Sequence, residues 1–252
     1  MAYTTIKKPS DYFDTTTYTG GATDVSSLSF QPDFVWAKKR DGAENHGLFD
    51  AVRGATKTLN SNTTSAESTR SGSLTSFDSD GWSMGGSDGI ISASGSTYVA
   101  WSWSGAGNSG SANTDGDIAS TVSANTTSGF SIVSYTGTGA NATVGHGLGV
   151  APKMVILKSR ANAYNWGVYH ASIGATKYLR LNSTNAEATS SAYFQDTAPT
   201  STFITLGSDL NINDSGNMIA YCFAEKQGYS KFGSYTGNGN ADGTFVYTGF
   251  KP

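Results

Sequence analysis

The chain has 252 residues, 16 of them basic and 19 acidic, with a formal net charge of −3. Its one basic cluster, Lys38-Lys39-Arg40, is too short to follow a phosphate backbone, so we expect no nucleic-acid partner. No apolar run approaches the roughly 18 residues of a membrane span, and "MAYTTIKKPSDYF" at the start lacks a signal peptide's apolar core. The single cysteine, Cys222, excludes an internal disulfide framework, and we expect a small buried hydrophobe there rather than a reactive thiol.

The composition favours β-structure. Charged residues make up 14%, aromatic residues 12%, and there are 31 glycines. Much of the remaining polarity comes from Ser, Thr and Asn, whose short side chains bond to the backbone and suit turns and strand faces better than helices. We predict an all-β protein of the kind found outside cells or in an assembled particle.

Short apolar segments predict strands along the whole chain. In "STYVAWSWS" (96–104), alternation places Val99, Trp101 and Trp103 on one face, and we expect the two tryptophans to lie in the core. "GFSIVSYTG" (129–137) carries apolar residues on both faces, which indicates a strand covered on both sides. Turn signals separate these segments, and the spacing predicts antiparallel β-sandwiches. Further strand-like segments are "DFVWAKKR" (33–40), "KMVILKSR" (153–160) and "FVYTGF" (245–250).

The chain repeats itself with a shift of 120 positions. "NHGLFDAVRGATK" (45–57) aligns with "NWGVYHASIGATK" (165–177), and the register also holds at Pro32 and Pro152, Lys38 and Lys158, and Glu67 and Glu187. A fixed register over this length indicates one fold unit present twice. The retained Lys57 and Glu67, with their counterparts Lys177 and Glu187, suggest either a repeated ion pair or unrelated surface charges.

The repeat predicts four parts. Tyr235 opens a third "YTG" segment and lies 17 positions before Pro252, as Tyr135 lies before Pro152. We therefore expect the native chain to continue beyond Pro252, with a genuine end and a docked last hairpin as the alternative. The parts are β-sandwich module 1 (1–105), a Gly/Ser/Asn-rich linker (106–117), β-sandwich module 2 (118–228) and the start of a third module (229–252).

No set of catalytic groups is retained in both repeats. His46 aligns with Trp166, and His170 aligns with Asp50. The sequence contains neither a G-x-S-x-G elbow nor an HExxH motif. We therefore predict a protein that is not an enzyme, with no catalytic residues and no cofactor.

Asp115 and Asp117 in "NTDGDI" are the nearest approach to a metal site. They offer two carboxylates, whereas Ca²⁺ takes six to eight oxygen ligands. The sequence therefore predicts a solvated segment at this position and no metal.

Three residues are candidates for ligand binding: Trp82, Trp166 and His146. The two tryptophans lie beside turns, where an exposed indole could stack on a glycan, although packing in the core is the alternative. His146 opens "HGLGVAP", which is either a ligand loop or a tight turn whose histidine caps a backbone group.

Several segments together resemble a known module. In the first repeat these are "FQPDFVWAKKR", "HGLFDAVRGATKTLNSNTTSAEST" and "TYVAWSW"; in the second, "FSIVSYTGTGANATVGHGLGVAPKMVILKSR". The module is found in structural and tail-fibre-like proteins of marine tailed bacteriophages, especially cyanophages. The resemblance implies a concanavalin-like (SPRY-like, jelly-roll) β-sandwich and a place in the virion, and it supplies no binding residues.

From these observations we expect a non-enzymatic virion structural protein, in a tail fibre or surface appendage for host adhesion. Its expected partners are other virion proteins, further copies of itself in a homo-oligomer, and a host surface glycan. The alternatives are a capsid decoration protein, a glycan-binding module facing the host, or a hydrolase acting on host polysaccharide. The thin supply of histidines argues against the last.

Overall fold

A computed structural model describes residues 4–250, and within them the chain is nearly all β. After a turn of 3-10 helix at Pro9–Asp11, the first repeat forms nine strands in three antiparallel sheets of four, three and two strands. The strands are β1 (Phe13–Thr19), β2 (Asp24–Val25), β3 (Phe34–Lys39), β4 (Gly47–Asp50), β5 (Lys57–Thr58), β6 (Ser68–Thr69), β7 (Leu74–Asp78), β8 (Gly81–Met84) and β9 (Thr97–Trp103).

Sheet 1 has the strand order β1-β9-β3-β4, and the three strands β2-β8-β7 cover one of its faces. Alternation along β3 turns Val35 and Ala37 towards these covering strands, where they meet Leu74 and Trp82 in the first core. This is an antiparallel sandwich, as the short alternating segments predict.

The second repeat is built from ten strands and two single-turn helices. They are β10 (Ser111–Asn113), β11 (Ser120–Asn125), β12 (Phe130–Thr136), β13 (Ala142–Gly145), β14 (Met154–Ser159), β15 (Gly167–His170), β16 (Lys177–Arg180), β17 (Ala188–Thr189), α1 (Ser191–Phe194), β18 (Phe203–Leu206), α2 (Leu210–Asn213) and β19 (Asn217–Phe223). Sheet 2 has the order β10-β11-β12-β19-β14-β15-β16-β17, and β13 and β18 form a separate two-stranded sheet. Side chains of these two sheets pack together in the second core, which includes Val133, Val155, Val144 and Ile204. The predicted all-β, antiparallel sandwich class is confirmed for the described residues.

The shift of 120 positions in the sequence reappears in the strands. β14, β15 and β19 begin and end 120 positions after β3, β4 and β9. The order β12-β19-β14-β15 inside sheet 2 therefore repeats the order of sheet 1. A side-chain contact recurs as well, because Lys38 and Lys158 each donate from Nζ to the carbonyl oxygens one and four positions further along.

The two sheets pack face to face through a third core, which we call the interface core. Phe34 of sheet 1 stacks on Tyr221 of sheet 2, with 4.4 Å between the ring centroids, and lies 5.8 Å from the ring of Phe130. In β12, Phe130 and Ile132 face this core while Val133 and Tyr135 face the second core, so the predicted strand covered on both sides is confirmed. The buried members of the interface core are Phe34, Leu48, Leu59, Phe130, Ile132, Ile156, Trp166, Val168, Ile219 and Tyr221.

A buried ionic network crosses the interface core. The Tyr221 hydroxyl donates to Asp50 Oδ2 at 2.7 Å, and Arg53 Nε donates to the same oxygen. Arg53 also donates to the Leu48 carbonyl at 2.8 Å, so its buried guanidinium is held by several acceptors. Because Asp50 and Arg53 come from module 1 and Tyr221 from module 2, the Tyr221–Asp50 hydrogen bond ties the two sheets together.

Glu67 extends the network to the surface. It accepts from Arg53 Nη1 at 3.1 Å and forms a two-pronged pair with Arg160 of module 2, at 2.9 and 3.0 Å. Burial alone would raise the pKa of Glu67, but the hydrogen bond from Arg160 and the two positive charges outweigh it and lower the pKa. The repeated Lys–Glu contact therefore exists in module 2 alone, where Lys177 pairs with Glu187, whereas Lys57 donates to Thr69.

The segment expected as a flexible linker, 106–117, contains strand β10, which pairs with β11 at the edge of sheet 2. Its start is held by Asp33 Oδ2, which accepts from the N–H groups of Gly105 and Gly107 at 2.7 and 2.8 Å. Burial raises the pKa of Asp33 to about 6. Small polar residues are compatible with an edge strand as well as with a linker. The backbone pairing of β10 with β11 makes part of this segment a strand.

The start of the expected third module differs from the strand prediction. Residues 231–250 form no strand, so "FVYTGF" (245–250) lacks the predicted pairing. A strand needs a neighbour to satisfy its backbone groups, and nothing beside this segment supplies one within residues 4–250. The expected break at Pro252 lies outside the described residues.

The network predicts an asymmetry between the repeats. Glu67→Gln should lower the free energy of unfolding by about 1–3 kcal/mol, because Arg53 and Arg160 lose a charged acceptor. The matched Glu187→Gln should cost about 0–1 kcal/mol, because its pair with Lys177 is 38% exposed on both sides. Urea denaturation of both variants measures the difference, and equal small losses would contradict a special role for Glu67.

Candidate functional site

Strand β9 carries tryptophans on its outer face. Along it, Tyr98, Ala100 and Ser102 are buried, while the residues between them are half-buried. The prediction that Val99, Trp101 and Trp103 share a face is therefore confirmed. The expectation that these tryptophans lie in the core is wrong in part: both are half-buried, since sheet 2 covers only part of this face.

Four residues line a surface cavity of about 330 Å³ on this face, which we call the aromatic cleft: Trp36, His46, Trp101 and Trp103. Trp36 of β3 lies directly opposite Trp101 of β9 in the antiparallel register. Trp103 follows two positions along the same strand, so strand geometry sets the three indoles side by side. The three tryptophans of the cleft are therefore held by paired strands of sheet 1 rather than by a loop.

His46 is held in one orientation. Trp36 Nε1 donates to His46 Nδ1 at 3.1 Å, so the neutral ring carries its proton on Nε2. Burial lowers the pKa of His46, and the charge of Lys38 lowers it further. The cleft thus combines indole faces with a neutral ring that has a donor at Nε2.

An apolar pocket of about 320 Å³ adjoins the cleft, sharing Trp36 and Trp103 with it. It opens at the margin of the interface core, where the ring of Trp103 lies 4.9 Å from that of Phe13 and 6.1 Å from that of Phe130, centroid to centroid. Its other wall comes from Met154, Phe223, Tyr229 and Phe232. The cleft and the pocket thus form one continuous surface of aromatic side chains at the margin of the interface core.

The two tryptophans proposed as ligand-binding, Trp82 and Trp166, are fully buried. Trp82 points from β8 into the first core. Trp166 packs in the interface core, where its Nε1 donates to the Asn60 carbonyl at 2.9 Å. Neither indole has a face for a sugar, so this expectation is corrected: a position beside a turn does not decide which side of the sheet the side chain takes.

His146, the third candidate, is also buried and uses both ring nitrogens. Nδ1 accepts from the Leu148 N–H at 3.2 Å, and Nε2 donates to the Thr200 carbonyl at 3.2 Å. Gly147 and Gly149 both have a φ of 70°, which a tight turn needs. The segment is therefore the turn whose histidine caps the backbone, rather than a ligand loop.

The other polar residues considered as candidates make structural contacts. Residues 4–250 hold no group of three or more His, Cys, Asp or Glu placed to bind a metal ion. Asp117 accepts from Thr143, and Asp115 from Asn113, at the end of β10. Cys222 is buried, and burial raises the pKa of its thiol, as expected for a packing residue. Over the same range, no helix is long and apolar enough to cross a membrane.

One pattern in the sequence is related to the cleft. Trp36 lies in "DFVWAKKR" and Trp101 in "STYVAWSWS", and both segments predict strands. Their pairing follows only when β3 and β9 are known to be neighbours. His46 carries no sequence signal of its own, because its place depends on the turn before β4.

By fold and site, the protein is a pair of antiparallel β-sandwich modules packed face to face, with an aromatic cleft beside the interface. The chain belongs to the family described as "Domain of unknown function (DUF7483)", whose family model matches residues 8–252. No curated protein and no solved structure matched the chain.

The contrast between buried and half-buried tryptophans is testable. Trp82→Ala and Trp166→Ala should each lower the free energy of unfolding by about 3–5 kcal/mol, since each leaves a large cavity. Trp101→Ala should cost about 1 kcal/mol or less, because half-exposed side chains contribute less to packing. Thermal and denaturant melts measure all three, and a loss for Trp101→Ala as large as the others would place it in the core.

Proposed function

We propose that this chain is a non-enzymatic structural protein of a bacteriophage particle, in a tail fibre or surface appendage, and that it attaches to the host by binding a surface glycan in the aromatic cleft. The phage setting is supported by the resemblance of the repeated segments and by the Gly-, Ser- and Thr-rich β composition. The binding role is carried by one observation: Trp36, Trp101 and Trp103 are half-exposed side by side.

Glycan is the ligand class that the chemistry of the cleft favours. The C–H face of a sugar ring is apolar and stacks on an indole, while its hydroxyls need nearby donors and acceptors. Trp36 and Trp101 offer adjacent indoles, and His46 offers a donor at Nε2. The apolar walls of the cleft therefore match the C–H face of a sugar, and its few polar groups match the hydroxyls.

The fold holds the cleft in place before any ligand arrives. β9 and β3 are the two central strands of sheet 1, and the opposite face of that sheet is packed in the first core. Rigid strands spare a ligand the cost of ordering the site. This suits an adhesion surface that must bind weakly and repeatedly through few contacts per copy.

The test is binding to host envelope polysaccharide and to an array of surface glycans. Trp101→Ala should weaken binding by about tenfold or more, since a stacked aromatic residue is a typical binding hot spot. Tyr235→Ala is the matched control, because Tyr235 is an exposed aromatic residue outside the cleft, and it should bind like the wild type. Glycan binding that is absent, or equal in both variants, would contradict adhesion through the cleft and favour a capsid decoration protein.

A further inference from the structure

The outer edge of β1 is unpaired where its counterpart is covered. β12, the equivalent of β1, pairs with β19 on one side and with β11 on the other. β1 pairs with β9, and no strand lies on its other side within residues 4–250. The first module thus lacks the strand that completes the second.

β1 carries few features that protect an open edge. Natural edges are blunted by lysine, proline, bulges or short length. β1 is seven residues long, "FDTTTYT", with Asp14 as its one charge and no proline or lysine. The Thr15 N–H donates to the neighbouring Asp14 carboxylate at 2.7 Å rather than to a strand, and Thr15, Thr17 and Thr19 are exposed.

The chain also contains an apolar segment that fits such an edge. Phe245, Val246 and Tyr247 are 85%, 52% and 71% exposed, and Tyr235 is 70% exposed. Aromatic and β-branched residues favour strands, yet this segment is unpaired. Its contacts are local: the Tyr247 ring lies 5.7 Å from Lys231 Nζ, and Thr244 donates to the Thr236 carbonyl at 2.7 Å.

We propose that residues 244–248 of one copy add as a strand to the outer edge of β1 in a second copy. The added strand would take the place that β11 takes beside β12, with backbone hydrogen bonds for affinity and burial of Phe245 and Tyr247 for specificity. A second copy is the occupant because, within one chain, the segment lies beside Lys231 and leaves the outer edge of β1 without a paired strand.

The contact joins two different surfaces, so it is heterologous. Each copy then has one free donor and one free edge, and addition continues into an open chain unless a rotation closes it into a ring. The proposal uses no residue of the aromatic cleft, so its failure and the failure of the glycan proposal are separate outcomes.

Sedimentation over a concentration series tests the proposal on the 252-residue chain. The donor variant carries Phe245→Asp and Tyr247→Asp; the acceptor variant carries Thr15→Lys and Thr17→Lys, since edge lysines block strand addition. The wild type should form a concentration-dependent series of oligomers, and each variant should sediment as a monomer. Leu210→Asp, at an exposed apolar residue elsewhere, is the control and should assemble like the wild type.

Mixing the two variants gives the sharpest outcome. The donor variant keeps an intact edge and the acceptor variant keeps an intact segment, so a mixture should form heterodimers that grow no further. Unchanged thermal melts of the separate variants verify that both are folded. A wild type that stays monomeric, assembly that survives either variant, or a mixture that stays monomeric would overturn the proposal.

Discussion

The contact between the faces of the two sheets is the constraint on which the rest of this structure depends. Sheet 1 and sheet 2 each have two faces, and the strands of the same module cover only one of them. Phe34 and Tyr221 close the other faces against each other. The Asp50–Arg53 pair inside this contact is costly to bury, and the Tyr221 hydroxyl shares in satisfying it. The hydrogen bond from Tyr221 to Asp50 and the ion pair of Arg160 with Glu67 both cross between the repeats, so they favour one relative position of the sheets.

The interface also separates two repeats that share one strand order. Asp50 corresponds to His170 and Arg53 to Ile173, so the buried pair belongs to the first repeat alone. Glu67 and Glu187 are identical residues at equivalent positions, yet the first binds Arg160 across the interface and the second binds Lys177 within its own module. The repeats are therefore equal in backbone and unequal in role. The repeats also differ in how their strands are covered. β12 has a neighbouring strand on both sides and β1 on one side only, and the tryptophans of β9 are half-exposed.

Much of the backbone was predictable from the sequence, because period-two alternation and a fixed repeat are properties of the chain alone. They placed β3, β9, β12 and β14 and identified which residues share a face. They did not identify which faces are covered, since this depends on how one module packs on the other. Trp101 and Trp166 illustrate the difference: the first was expected in the core and lies at the margin, while the second was expected at the surface and lies in the interface core. The cleft joins residues from two strands and a turn, so no local pattern contains it.

Differential scanning calorimetry tests the central claim, that the interface makes the two modules one folded body. If it does, unfolding should be a single transition whose calorimetric and van't Hoff enthalpies agree, because neither sheet can lose its covering partner without exposing the interface core. Two resolved transitions, or a calorimetric enthalpy near twice the van't Hoff value, would show that the modules unfold independently and would contradict the account.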